Sequence, residues 1–357
     1  LNESKVVCFR PIKTKVVETK CSQEGWKGDG VSNKEQFEKL FNNELTEAEA
    51  RQFLIELYIK GESAEDIADA AAVMRAHSIK APLSDALKER AIDIVGTGGD
   101  ESGSFNISTT TSLLLAAMGH VVAKHGNRSV TSKSGSTDVL EALGLKLDLT
   151  PENKIKMLEE TGFCFFPATD HHPAMKYIMP IRRSIPHRTI FNILGPLCNP
   201  AGAQKYLLGV FDPIFVRRIA EALVELDAKR AFVVSSQDCM DEIGLATNTN
   251  FAYLESGRII EGEINPEIYG IKKAPKEAIL GGDATRNAEI IRDIFAGTEK
   301  GPKRDIVVLN AAFALFVDGK VRDVREAIAQ VEAILDSGTA YEHLVRMAKI
   351  SEQLSSK

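Results

Sequence analysis

Glycine, hydroxyl and acidic residues cluster at Gly96-Thr97-Gly98-Gly99-Asp100, directly after the short apolar run Ala91 to Val95. Glycines let a backbone approach an anion closely, while hydroxyls and free helix-terminal N–H groups donate to it. The following Phe105-Asn106-Ile107-Ser108-Thr109-Thr110-Thr111 leads into a helix expected over Ser112 to Met118, so the stretch reads as an anion site. Neither G-x-G-x-x-G nor G-x-x-x-x-G-K-[ST] occurs, which sets aside the dinucleotide and P-loop motifs. A turn that needs glycine for its own geometry explains the motif equally well, and other residues have to decide.

Lys124 to Ser136 supplies them: of these thirteen residues all but Val130 are polar or glycine. Such a loop can wrap phosphate oxygens with backbone N–H, hydroxyl and cationic groups; the alternative is a solvated loop. Charge favours the first. The chain has 44 Lys+Arg against 50 Asp+Glu, net −6, yet residues 102–137 and 171–211 contain no acid at all. An acidic protein with two acid-free cationic strips suits a small, strongly anionic ligand better than nucleic acid or an anionic membrane.

Three further groups bear chemistry. His171 and His172 are adjacent, so on a helix they point about 100° apart, and structural or substrate-contact roles are favoured over metal ligation. Arg182 or Arg183 offers a planar fork for the carboxylate of a second substrate, against the alternative of surface helix charge. Asp241-Glu242 provides two hard oxygen ligands that would suit Mg²⁺ beside a phosphate, although an isolated pair of this kind is ordinarily solvated surface.

The elements that must position these groups are legible in outline. From Ser32 to about Lys88 the pattern is helical, with Thr46 and Glu49 forming a capping box before Phe53, Leu54, Leu57 and Tyr58, and Ser63 opening a second helix. Thereafter strand-like runs at 91–95, 121–123, 163–166, 206–210 and 231–234 alternate with helical stretches at 137–143, 151–160 and 214–226. That alternation predicts a mainly parallel sheet covered on both faces. From about 284 the chain reads as helical, with amphipathic stretches at 325–335 and 341–354. At 357 residues the expectation is two domains. Five scattered cysteines without a C-x-x-C pair argue against a disulfide framework or zinc cluster, and no apolar run is long enough to span a bilayer, so a cytoplasmic location is expected.

Taken in order, Gly96 to Asp100, Asn106 to Thr109, Lys124 to Arg128, Ser134 to Ser136, His171 to Met175, Arg188 to Asn192 and Asp241-Glu242 closely resemble the anthranilate phosphoribosyltransferase family of tryptophan biosynthesis. The resemblance covers roughly residues 33 to 354. It implies an α/β protein of the nucleoside phosphorylase/phosphoribosyltransferase type: a small all-helical N-terminal domain plus a large α/β domain with a mainly parallel central sheet. The helical domain would span 33–90 with 172–195 returning to it, the α/β domain 91–171 and 196–357, and residues 1–32 form an extension of undefined order.

Carried over by position, the resemblance implies that phosphoribosyl pyrophosphate (PRPP) meets Gly96, Gly99, Asp100, Ser104, Asn106, Ile107, Ser108, Thr109, Lys124, His125, Gly126, Asn127, Arg128, Ser129, Val130, Thr131, Ser132 and Ser136. Anthranilate would contact Gly96, Asn127, His172, Arg182 and Pro196, and Ser108, Asp241 and Glu242 would hold Mg²⁺, two ions with PRPP. The implied reaction joins the anthranilate amine to ribose C1 with loss of pyrophosphate, with no protein acid or base. A homodimer through the helical domain is implied, and association with anthranilate synthase is left open. The rival readings are a pyrimidine nucleoside phosphorylase-like enzyme and a non-catalytic nucleic-acid-binding relative. Ile185-Pro186-His187 and Cys239-Met240 depart from the family pattern, where leucine-glycine and glycine-leucine pairs are usual.

Overall fold

A computed structural model describes residues 33–128 and 133–355. Four helices come first: α1 (Lys34–Phe41), α2 (Glu47–Lys60), α3 (Ala64–Ala76) and α4 (Asp85–Arg90). Both expected helix starts form reciprocal caps. The Thr46 hydroxyl accepts from Glu49 N while the Glu49 carboxylate accepts from Thr46 N, and Ser63 and Asp66 repeat the arrangement. These caps satisfy orphan N–H groups and set where each helix begins. Phe37 packs edge-on against Phe53, ring centroids 5.1 Å apart, which joins α1 to α2.

The remainder runs β1 (Ile92–Gly96), α5 (Ile107–Ala117), β2 (Val122–Gly126), α6 (Ser136–Ala142), α7 (Pro151–Thr161), β3 (Phe163–Pro167), α8 (Ala168–His171), α9 (Met175–Ser184) and α10 (Phe191–Leu194). It continues with β4 (Lys205–Gly209), α11 (Ile214–Glu225), β5 (Arg230–Ser236), β6 (Thr249–Glu255), β7 (Arg258–Ile264), α12 (Ala284–Phe295), α13 (Pro302–Asp318), α14 (Val324–Asp336) and α15 (Thr339–Ser355). The seven strands lie in the order β3-β2-β1-β4-β5-β6-β7, the first five parallel and the last two antiparallel. The chain winds outward from β1 to β3 and then returns to place β4 on the other side of β1. This reversal opens a crevice at the carboxyl ends of β1 and β4, where α/β sheets bind ligands.

Two elements differ from the sequence expectation. Helix α5 begins at Ile107, not near Ser112, so the Ser/Thr-rich run is its first turn and not a lead-in. Thr109 to Thr111 are buried, and Thr110 Oγ1 donates to Asn106 O at 2.8 Å, which lets hydroxyls sit inside the helix without stranding a polar group. The β6–β7 hairpin turns at Ser256-Gly257, both with positive φ, a turn whose mirror-image geometry suits two twisted strands. Its outer strand is mostly half-exposed and lacks an apolar run to announce it.

The small helical unit meets the sheet through specific contacts. Arg75 on α3 donates from Nε to Leu197 O at 2.6 Å and from Nη1 to Leu226 O at 3.3 Å. Helix α9 leaves the sheet and packs against α1 and α2, while α3 packs on α11. Among these contacts the departure at 185–187 finds a use, since His187 stacks on Tyr58 of α2 with centroids 3.9 Å apart. Helix α13 is apolar nearly all round and buried beneath α5, β4 and β5, as a core helix must be.

Candidate active site

Gly96 and Gly209 are register partners at the carboxyl ends of β1 and β4, and the segment after β5 is laid across both. A Cβ on Gly96 would stand 2.2 Å from Asp241 Oδ2, and one on Gly209 would stand 1.5 Å from the Asp241 carbonyl oxygen. Only glycine permits this approach. Gly98 and Gly99 have positive φ and turn the chain so that Gly98 N donates to Asp241 Oδ2 at 2.7 Å. From the other side Asn310 of α13 clamps Ile243, accepting from its N at 3.1 Å and donating to its O at 2.9 Å.

Asp100, Asp241 and Glu242 thereby converge, with one carboxylate oxygen from each lying within 4.8 Å of the others. Burial raises the carboxyls of Asp241 and Glu242 well above the usual range, and mutual repulsion with Asp100 adds to it. Asp100 Oδ2 and Glu242 Oε2 are buried without a hydrogen-bond donor. Three hard carboxylates that repel one another, two of them with a buried oxygen left without a donor, fit a divalent cation such as Mg²⁺. Ser108 is linked to the three through Lys124. Its Oγ lies 3.4 Å from Nζ of Lys124, and Lys124 is drawn electrostatically to both Asp241 and Glu242.

Lys124 is fully buried on β2 and donates to Ile94 O at 2.6 Å. Burial lowers its ammonium to about 8, partly offset by the nearby carboxylates. Beside it, Asp93 accepts from His125 N at 3.2 Å and from Asn199 Nδ2 at 2.7 Å, and burial pushes its carboxyl up to about 7. Asp93 and Asn199 escaped sequence reasoning. The signal was the charged residue inside the apolar run Ala91 to Val95, where a buried charge demands partners.

The N-terminus of α5 faces the start of α6: Thr109 Oγ1 donates to Ser136 Oγ at 3.1 Å, and Asn106 Nδ2 donates to Ser134 O at 3.1 Å. Ser104 joins an isolated bridge with Leu280. Ile107 is fully buried, so it offers only backbone to any ligand. Asn127 is exposed just after β2. Arg128 does not stand free at the end of the acid-free strip, because it is paired with Asp138 and Glu141 of α6, just beyond that strip. Ser129, Val130, Thr131 and Ser132, like residues 1–32, lie outside the described residues.

His125 and His172 form a buried pair, Nε2 to Nε2 at 3.3 Å. His125 Nδ1 lies 3.0 Å from Phe166 O and must donate, which leaves its Nε2, in the neutral ring, as an acceptor facing His172. Burial drives both rings neutral, His125 to about 3 and His172 to about 4. His171 Nδ1 lies 2.7 Å from Ile79 O and so donates to it, which makes this histidine a link to the helical unit. Pro196 is buried in a short 3₁₀ turn after α10. Arg182, in the last turn of α9, is half-buried, and the one hydrogen bond of its guanidinium among the described residues is to Met179 Sδ at 3.9 Å. Arg183 is exposed. Arg188 donates to Gly99 O and lies 3.6 Å above the Phe211 ring, bracing the glycine turn.

The helical unit and the mainly parallel α/β unit, with acidic and cationic groups gathered at the β1/β4 crevice, are those of a glycosyl transferase family. Residues 88–341 match the a/b domain of the glycosyl transferase family and residues 34–78 its helical bundle domain. The chain is 44% identical over 306 residues to anthranilate phosphoribosyltransferase of Rubrobacter xylanophilus, covering 85% of this chain and 88% of that one. The crystal structure of the Thermus thermophilus anthranilate phosphoribosyltransferase superposes with a TM-score of 0.82 at 39% identity, covering 89% of this chain and 94% of that chain. The Saccharomyces cerevisiae enzyme in complex with PRPP and Mg gives a TM-score of 0.78 at 25% identity, covering 89% and 91%. The chain belongs to the anthranilate phosphoribosyltransferase family.

Proposed function

We propose that the protein transfers the phosphoribosyl group of PRPP to the amine of anthranilate, giving N-(5-phosphoribosyl)anthranilate and pyrophosphate. The observation that carries this reading is the meeting of Asp100, Asp241 and Glu242 with the glycine turn at the end of β1, opposite the Lys124 strand, in a chain 44% identical to a relative of that name. Asp241 and Glu242, with Ser108 nearby and Asp100 added to the set, would hold Mg²⁺. When bound, that ion neutralises charge on the leaving pyrophosphate.

This chain's own residues then bind and orient. The α5 N-terminus, the 124–136 loop and Ser136 receive phosphates through N–H and hydroxyl groups, while Lys124 supplies a buried positive charge. Arg182 takes the anthranilate carboxylate, supported by its half-burial without a carboxylate partner among the described residues. Gly96, Asn127, His172 and Pro196 border the same substrate. As the C1–O bond to pyrophosphate breaks, ribose gains oxocarbenium character; the C1–N bond forms and the amine proton leaves to solvent. Anthranilate's amine is already neutral at pH 7, so alignment of the two substrates replaces a protein base.

We read residues 33–90 and 172–195 as the helical domain and 91–171 with 196–357 as the α/β domain, so that both substrates meet between them. Pairing into a homodimer falls to the helical domain, supported by the exposed Tyr58, Ile59 and Tyr177. A cytoplasmic location accords with the finding that no helix among the described residues is long and apolar enough to cross a membrane. The test mixes protein, Mg²⁺, PRPP and anthranilate and follows anthranilate fluorescence. Decay that requires both Mg²⁺ and PRPP is expected, and an unchanged signal over hours overturns the proposal.

A further inference from the structure

Asn287 closes the first turn of α12 and is buried. Its Oδ1 accepts from Gly282 N at 2.7 Å. Because that partner is a backbone N–H, the orientation of the amide follows, and Nδ2 points the other way, onto Asn106 Oδ1 at 2.9 Å. Asn106 is thereby turned so that its own Nδ2 donates to Ser134 O at 3.1 Å. The relay starts on a backbone donor, ends on a backbone acceptor, and has one direction throughout.

The strap before α12 is laid against the same region. Gly281 N donates to Gly103 O at 2.9 Å and Phe105 N to Ile279 O at 3.3 Å. A Cβ on Gly281 would meet Asn287 Oδ1 at 2.6 Å and Phe105 Cα at 2.7 Å, so the strap packs close enough here to leave no space for a side chain. Asn106 precedes the first turn of α5 and Ser134 precedes the first turn of α6. One amide on α12 thus reaches, through Asn106, the turns that open both α5 and α6.

We propose that Asn287 is a positioning residue for PRPP, acting through Asn106 to hold the α5 turn and the Ser134 to Ser136 turn at the separation the ligand needs. This rests on reading that face as the PRPP site.

Asn287→Asp tests it. The change is nearly isosteric and keeps the acceptor for Gly282, but it replaces the donor to Asn106 with a second acceptor. Loss of one such hydrogen bond is expected to raise KM for PRPP by about tenfold while KM for anthranilate stays within about twofold. In an Asn106→Ala background the same substitution should raise KM for PRPP no further, since a residue that acts through another shows full coupling to it. An unchanged KM for PRPP, a parallel rise in both KM values, or full additivity overturns the proposal. Hydrogen exchange of the wild-type protein needs no variant to fold: Mg²⁺ and PRPP should increase protection across 278–287 together with 103–117, and protection confined to 103–117 counts against it. Failure of the underlying functional reading is separately visible, because wild type itself would then consume no PRPP.

Discussion

Gly98 and Asp241 are 143 residues apart in sequence, and the Gly98 N–H donates to Asp241 Oδ2 at 2.7 Å. That bond ties the glycine turn after β1 to the acidic pair after β5. With the absent side chains of Gly96 and Gly209, it fixes where Asp241 can stand. The motif reads from sequence as a phosphate turn; in the fold it is equally the seat of a carboxylate.

Gly96→Ala places a methyl 2.2 Å from Asp241 Oδ2 and 2.9 Å from its Cγ. The carboxylate must move, and kcat/KM for PRPP should fall by about a hundredfold, in keeping with the cost of displacing a catalytic group by about 1 Å. Activity titrated against Mg²⁺ should show a higher half-saturation. An alanine variant with wild-type Mg²⁺ dependence would show that the close approach has no bearing on the site.

Arg182→Ala should raise KM for anthranilate by roughly tenfold to a hundredfold and leave KM for PRPP nearly unchanged, since a charge-assisted hydrogen bond contributes about 1.5–3 kcal/mol. Arg182→Lys should recover part of the loss, because it restores charge without the planar fork. Unaltered anthranilate kinetics in the alanine variant would remove Arg182 from the substrate site.

The buried His125–His172 pair makes stability fall in acid. Both folded-state values, about 3 and about 4, lie below the ordinary 6.5. Unfolding therefore takes up protons as pH falls below 6.5. The stabilising contribution is complete above that pH and is lost on the way down to the folded values. At pH 5 the loss is on the order of 2 kcal/mol for each ring. Urea unfolding at pH 7 and pH 5 should show a smaller difference in His172→Asn than in wild type, and equal differences would contradict the assignment.

Cys239 holds φ +68, the left-handed region that disfavours any side chain with a Cβ. The family pattern has glycine here, and Cys239→Gly should raise unfolding free energy by about 1 kcal/mol in urea titration, the relief of backbone strain exceeding the extra freedom of the unfolded glycine. A destabilised glycine variant would mean that the cysteine side chain contributes packing worth more than the strain.

Much of this was legible because parallel strands buried on both faces read as apolar runs, and β1 to β5 stand where those runs do. Thr46, Ser63 and Thr150 announce their helices through side-chain oxygens that cap them. The β6–β7 hairpin was hidden because Ser256-Gly257 is a weaker turn signal than Asn-Gly and its outer strand is half wet. Helix α5 starts earlier than its sequence suggests because a run of β-branched and hydroxyl residues has low helix propensity, overridden here by burial. Within the site, motif residues were visible one by one. Their pairing was not: the engagement of Arg128 by Asp138 and Glu141, the Asp93–Asn199 contact and the Asn287 relay depend on partners distant in sequence or on which way a side chain turns.

Asn310 on α13 grips both the N and O of Ile243, two residues past Asp241. A ribosome therefore makes the glycine turn early but the clamp on the segment after Asp241 only once α13 (Pro302–Asp318) has emerged and seated. In the nascent chain the glycine turn would thus precede its carboxylate partner, and the two halves of the site would come together only as α13 docks.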